Sequence, residues 1–206
     1  DHVLMTGNPV RRSVIEGNRA RGRKALGVPE DATLLLVFGG SLGAQHLNER
    51  VASLKTSCFA QEPLCVAFDG CRRLEETERA LALTPEEAKH YRVQPYIDNM
   101  GDMLAAADLV LSRSGASSVA EIAALAVPSV LVPYPHATAD HQTTQCPVSG
   151  RRPGPACSAP MPISTVRAFA DELLHLVDDA AARDAMRQAA RGLAQDRAAA
   201  LLADAV

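Results

Sequence analysis

Short, unbroken apolar runs alternate with longer amphipathic stretches along most of this 206-residue chain. The stretches at 33–38, 64–68, 91–93, 108–112 and 129–132 read as strands, and 33–38 as a fully buried one of the kind a parallel sheet holds. Between them the spacing predicts helices over 12–27, near 44–55, 72–82 and 85–90, from Met100 to Ala106 and over 116–126. Residues 1–11 lead in and end at a proline turn, and amphipathic helices return at 164–178 and 181–204. Strands alternating with helices predict an α/β fold, a Rossmann-like parallel sheet with helices on both faces. In such sheets ligands sit outside the carboxyl ends of the strands.

One stretch breaks the alternation. Residues 146–162 hold five prolines, two glycines and two cysteines, a density that no helix survives. Such a segment has too few large apolar residues to offset its ordering entropy, so it is expected to be irregular and exposed. The chain therefore divides into a domain core over 1–145, an irregular proline-rich segment over 146–162, and C-terminal helices of the same domain over 163–206.

Two strand-to-helix turns carry the candidate chemistry. After the strand near 108–112 comes Ser112-Arg113-Ser114-Gly115-Ala116-Ser117-Ser118-Val119-Ala120-Glu121. At 3.6 residues per turn, Ser114, Ser117, Ser118 and Glu121 fall on one side of the predicted helix. Its first turn offers unpaired N–H groups and the positive end of the helix dipole, which suits a phosphate. Glu121, further in, can accept both hydroxyls of a ribose. The plain reading of the same residues is an N-cap serine and a solvated acid. The second turn is Gly39-Gly40-Ser41-Leu42-Gly43-Ala44, directly after the strand at 33–38. Glycines there admit close backbone approach to a ligand. The spacing is neither the dinucleotide fingerprint nor a P-loop.

These motifs come in one order with Gly7-Asn8-Pro9-Val10-Arg11, Tyr96-Ile97-Asp98-Asn99-Met100, Pro133-Tyr134-Pro135-His136 and His141-Gln142. In that order and at those intervals the chain resembles the C-terminal half of the MurG family of bacterial glycosyltransferases. The resemblance covers residues 5–145 well and the C-terminal helices loosely. It implies the C-terminal domain of a GT-B glycosyltransferase and transfer of N-acetylglucosamine from UDP-GlcNAc to lipid I, forming lipid II in peptidoglycan synthesis. It further implies that Arg11 neutralises the diphosphate, with Ser41 and the loop glycines Gly40 and Gly43 donating to the same phosphates. Ile97 meets the uracil through its backbone, with Met100 packing nearby. Ala116, Ser117, Ser118, Val119, Ala120 and Glu121 hold the α-phosphate and ribose, with Ser114 a secondary candidate. Gln142, with His141 beside it, grips sugar hydroxyls.

The same resemblance assigns the acceptor, lipid I, and the catalytic base to an N-terminal domain. No base is named within these residues, and the chain by itself is expected to bind donor without completing catalysis. It implies no cofactor and no metal, because an arginine and helix dipoles take the metal's place. It places the protein in the cytoplasm, peripheral on the inner face of the cell membrane. Two departures stand out. Phe68-Asp69-Gly70 replaces a His-x-Thr-Gly-like turn, which puts that turn's role in doubt. Gln145-Cys146 stands where the family opens a helix with Asn-Ala. Either residues 146–162 are a locally frame-shifted stretch that recovers near Ile163, or they are a genuine proline-rich insertion. Two other functions stay open: a different UDP-sugar GT-B enzyme (a 2-epimerase or a glycolipid glycosyltransferase), and a non-catalytic nucleotide-sugar-binding fragment.

Composition narrows the classes further. At 47% hydrophobic, 22% charged and net charge −3 the chain is an ordinary globular protein. Aromatics at 3% and the lack of a basic patch argue against nucleic acid. No apolar run reaches the length of a membrane span and no signal peptide pattern is expected. The five cysteines are odd in number and form no C-x-x-C pair, as expected for free thiols in a reducing compartment.

Overall fold

The computed structural model describes residues 8–39, 47–48, 51, 64–68, 74–132, 157–158 and 166–191. The five expected strands are present with ends within a residue of expectation: β1 (Leu34–Phe38), β2 (Leu64–Phe68), β3 (Tyr91–Gln94), β4 (Leu109–Arg113) and β5 (Ser129–Val132). A two-residue strand, β6 (Cys157–Ser158), joins the edge by pairing with Ser129 and Val130. All pairs are parallel, and the order is β3-β2-β1-β4-β5-β6, the doubly wound arrangement expected. β6 departs from the irregular reading of 146–162. Its residues lie in the proline-free run between Pro155 and Pro160, and a sheet edge tolerates nearby prolines. The other residues of that segment lie outside the described residues.

Alternation along the strands sends side chains to two layers. Leu35, Val37, Leu109, Leu111, Val130 and Val132 face one side, where Phe169, Leu173 and Val177 of α7 (Val166–Asp178) cover them. Leu34, Leu36, Phe38, Val110 and Leu131 face the other, against Leu104 of α5 (Met100–Ala106), Ile122 of α6 (Ala116–Ala124) and Val14. Every residue of β1 is buried, and each such leucine stabilises by about 1.5–3 kcal/mol. Two short helices, α3 (Leu74–Leu81) and α4 (Glu87–His90), lie between β2 and β3, and α8 (Ala180–Arg191) follows α7. Within the helix expected near 44–55, residues 47, 48 and 51 are helical, and Leu47 and Val51, four apart, are both fully buried; its other residues are outside the described set.

The helix expected over 12–27 is two helices, α1 (Arg12–Ile15) and α2 (Arg19–Leu26). The break falls at Gly17-Asn18, where the Asn18 side chain accepts from the Arg21 N–H and caps α2. Gly27, at φ 63°, closes it in the left-handed region open to glycine. A Cβ on Gly17 would stand 2.2 Å from the Gly101 carbonyl oxygen, so the turn rests directly on the backbone of α5.

Asp102 locks this contact. Its carboxylate accepts from the Asn18 N–H at 2.7 Å and from Arg21 Nε and Nη2 at 2.9 and 2.8 Å. Asn99, the N-cap of α5, donates to it at 2.8 Å and accepts from the Asp102 N–H in return. The Arg21 hydrogen bond holds the Asp102 carboxyl below the ordinary 3.8, against the opposing effect of burial, with the Asn18 N–H and the Arg21 charge adding to the lowering. A carboxyl lowered by folding stabilises fully above its unfolded value, and the contribution drains away as pH falls through the lower folded value. Urea midpoints should therefore fall on going from pH 5 to pH 3 by more in the wild type than in Asp102→Asn. Equal acid losses in the two would refute this role.

Candidate functional site

The strand order reverses between β1 and β4, and the crevice outside their carboxyl ends is where a doubly wound sheet binds ligands. β1 runs out at Phe38-Gly39, and β4 at Arg113, followed by the turn into α6. The Ser114 N–H donates to the Val132 carbonyl at 3.3 Å, so the chain is still extended along β5 at that point. Gly115 is the N-cap, with φ −70° and ψ 145°, and as a glycine it has no side chain of its own to cap the helix. A Cβ on Gly115 would meet nothing within 4 Å. The first-turn N–H groups of α6 thus begin at a glycine with no side chain over them, the geometry that suits a phosphate.

This placement corrects the helical wheel read from sequence. Ser114 is fully buried and precedes the cap, so it does not share a helix face with Ser117, Ser118 and Glu121. Ala116 and Ser117 are exposed, and Ser118, Val119, Ala120 and Glu121 are half-buried. Val119 and the buried Ile122 pin the helix to the sheet, which leaves Glu121 beside the core with its side chain only 13% exposed.

Arg11, the residue that starts α1, reaches this carboxylate. Its Nη2 donates to Glu121 Oε1 at 3.1 Å, across 110 residues of sequence, while the guanidinium stays 69% exposed. Sequence reasoning assigned the two residues to different parts of one ligand and did not foresee that they pair. Arg12, its neighbour, turns away to Glu16 at 2.7 Å. Ile97 and Met100 pack with Val119 against the same core layer. Side-chain burial of Ile97 anchors the backbone of the segment that leads into Asn99 and α5. Tyr96, next to it, is 63% exposed. Ser41, Gly40, Gly43, His141 and Gln142 lie outside the described residues.

Asp102 is the residue that sequence reasoning missed. Through Asn18 and Arg21 it holds the segment that carries Arg11, and through Asn99 it holds the segment that carries Ile97. The signal was present in two capping patterns, Asn18-x-x-Arg21 and Asn99-x-x-Asp102, which mark helix starts.

Residues 34–146, more than half of the chain, match the glycosyltransferase family 28 C-terminal domain. The chain belongs to this family. The family 28 domain is similar to UDP-N-acetylglucosamine--N-acetylmuramyl-(pentapeptide) pyrophosphoryl-undecaprenol N-acetylglucosamine transferases. One from Desulforudis audaxviator is 36% identical over 201 residues, covering 95% of this chain and 53% of the relative. Another, from Chlorobium phaeobacteroides, is 37% identical over 209 residues, covering 99% and 54%. The chain thus spans about half the length of these curated relatives. Among solved structures, Acinetobacter baumannii MurG superposes with a TM-score of 0.72 at 27% identity, covering 94% of this chain and 54% of that one. The C-terminal domain of a glycosyl transferase group 1 family protein (LpcC) from Francisella tularensis gives 0.55 at 16% identity, covering 90% and 96%, a likeness of fold. The family 28 domain therefore has the architecture of the C-terminal domain of a GT-B glycosyltransferase.

Proposed function

We propose that this chain supplies the donor-binding half of a transferase that moves N-acetylglucosamine from UDP-GlcNAc to lipid I, making lipid II for peptidoglycan. The observation that carries the reading is the glycine-led start of α6 at the topological switch point, with Glu121 on that helix held by Arg11. An open helix start binds phosphate, a shielded carboxylate accepts ribose hydroxyls, and a guanidinium neutralises a diphosphate whose charge grows as the sugar leaves. The names of the relatives supply the sugar and the acceptor. Ser41, Gln142 and His141 complete the donor contacts in this reading.

The acceptor is a membrane lipid, so the working enzyme meets the cytoplasmic face of the membrane peripherally. Among the described residues no helix is long and apolar enough to cross a membrane. Lipid I itself is held by a partner domain corresponding to the half of the relatives that this chain does not span.

Calorimetry tests the donor. UDP and UDP-GlcNAc should bind in preference to ADP, GDP and NAD, because the Ile97 segment reads the uracil edge. Equal affinity for UDP and ADP would overturn the assignment.

A further inference from the structure

The Arg11–Glu121 pair has a chemistry that neither residue has by itself. A diphosphate carries negative charge, and Glu121 is a carboxylate on the same helix whose open start is proposed to receive that phosphate. Like charges brought together at a partly buried site repel and oppose binding. We infer that Arg11 is the counter-charge of Glu121, so that this one ion pair lets a nucleoside diphosphate and a ribose-binding carboxylate occupy the same site. The inference rests on the donor-site reading above and deepens it.

The geometry leaves both partners capacity to spare. Arg11 spends one N–H of Nη2 on Glu121 Oε1, and a guanidinium carries five donors in a planar fork. Among the described residues Glu121 Oε2 has no hydrogen-bond partner, so it is available to a hydroxyl while Oε1 stays on Arg11. The asymmetry of burial gives each residue its part: the shielded carboxylate holds its position on α6, and the exposed guanidinium extends from it toward solvent. A surface pair serving stability alone contributes little, so its value here lies in charge compensation upon binding. Other anchors on the Arg11 segment lead the same way, since Asp102 and the Gly17–Gly101 contact hold that segment against α5 before any ligand arrives.

The consequence is a dependence of each residue on the other that reverses sign. Four proteins are compared by calorimetry with UDP and with uridine: wild type, Arg11→Ala, Glu121→Gln and the double variant. Arg11→Ala should weaken UDP roughly ten- to a hundredfold and leave uridine within about fivefold. Glu121→Gln should weaken UDP in the wild-type background, yet leave it unchanged or strengthen it when Arg11 is already alanine, because the repelling charge is gone. Arg11→Lys keeps the charge without the fork and should recover part of the loss. Arg11 is exposed, so its replacement leaves the fold standing, and melting curves of all variants check this. Losses that multiply in the double variant, or equal losses of UDP and uridine in Arg11→Ala, would overturn the counter-charge role. If the wild type instead binds UDP no better than ADP, the donor reading itself fails, and the inference falls with it. A clear UDP preference with multiplying losses overturns the inference alone.

Discussion

Replacing Arg23 by alanine should destabilise the protein by about 3–5 kcal/mol, the range for stranding the partners of a buried charge. Arg23 is fully buried, yet it sits in a run of sequence, Arg19-Ala20-Arg21-Gly22-Arg23-Lys24, that looks wholly solvated. Its guanidinium donates from Nη1 to the Ala106 carbonyl at 3.1 Å and to Asp108 Oδ2 at 3.2 Å. Nε and Nη2 both reach the Pro29 carbonyl, and Nη2 also meets the Ala32 carbonyl. Removing it leaves three carbonyls and a carboxylate without their buried donor. Asp108→Asn should cost less, because an amide oxygen can still accept from the Leu34 N–H that Asp108 Oδ2 now serves at 2.9 Å. Urea unfolding of the two variants checks the order. A loss below about 1 kcal/mol for Arg23→Ala would mean that water replaces the guanidinium. This network lies at the amino ends of β1 and β4, the edge opposite the candidate site. The folded fraction of either variant should therefore keep its preference for UDP over ADP.

Gly22→Val should be nearly as damaging, on the order of 3 kcal/mol, the upper part of the range for overpacking. A Cβ at this position would stand 2.1 Å from the Asp102 carbonyl oxygen and 2.8 Å from the Ala106 Cβ. Both belong to α5, and a backbone oxygen cannot rotate away as a side chain can. The valine must push α2 off α5, which also stretches the Arg21–Asp102 bonds. For a chain of this size the melting temperature should fall by roughly 6–12 °C. A melting temperature within a degree or two of wild type would show that the helix pair shifts freely.

The strands were legible because burial on both faces leaves an unmistakable apolar run, as in Leu34–Phe38. The start of α6 was legible from Gly115 and the residues after it, although the wheel began at Ser114, two residues before the helix. Ser114 reads as a helix face or cap in sequence, and only its bond to Val132 shows that the helix has not yet begun. The division of residues 12–27 was less visible, since Gly17 is explained by the backbone of Gly101, which is distant in sequence. Arg23 and Asp102 illustrate the same limit. A charge satisfied by carbonyls and caps from other segments is indistinguishable, residue by residue, from one satisfied by water. The Arg11–Glu121 pair was half legible: both residues were singled out, but a contact across 110 residues depends on how α1 is laid against α6.

The central position of β1 also governs how the chain emerges from the ribosome. Leu34 begins the most apolar strand of the sheet, its first parallel neighbour starts at Leu64, and Asp108, which completes its other side, lies 74 residues downstream. At a synthesis rate of about 5–20 residues per second, that flank waits roughly 4–15 s for its partner. During that interval Leu34–Phe38 offers an unpaired apolar strand edge to any neighbouring chain. Crowded translation should therefore make chaperone capture, rather than the final stability, the step that limits the yield of folded protein.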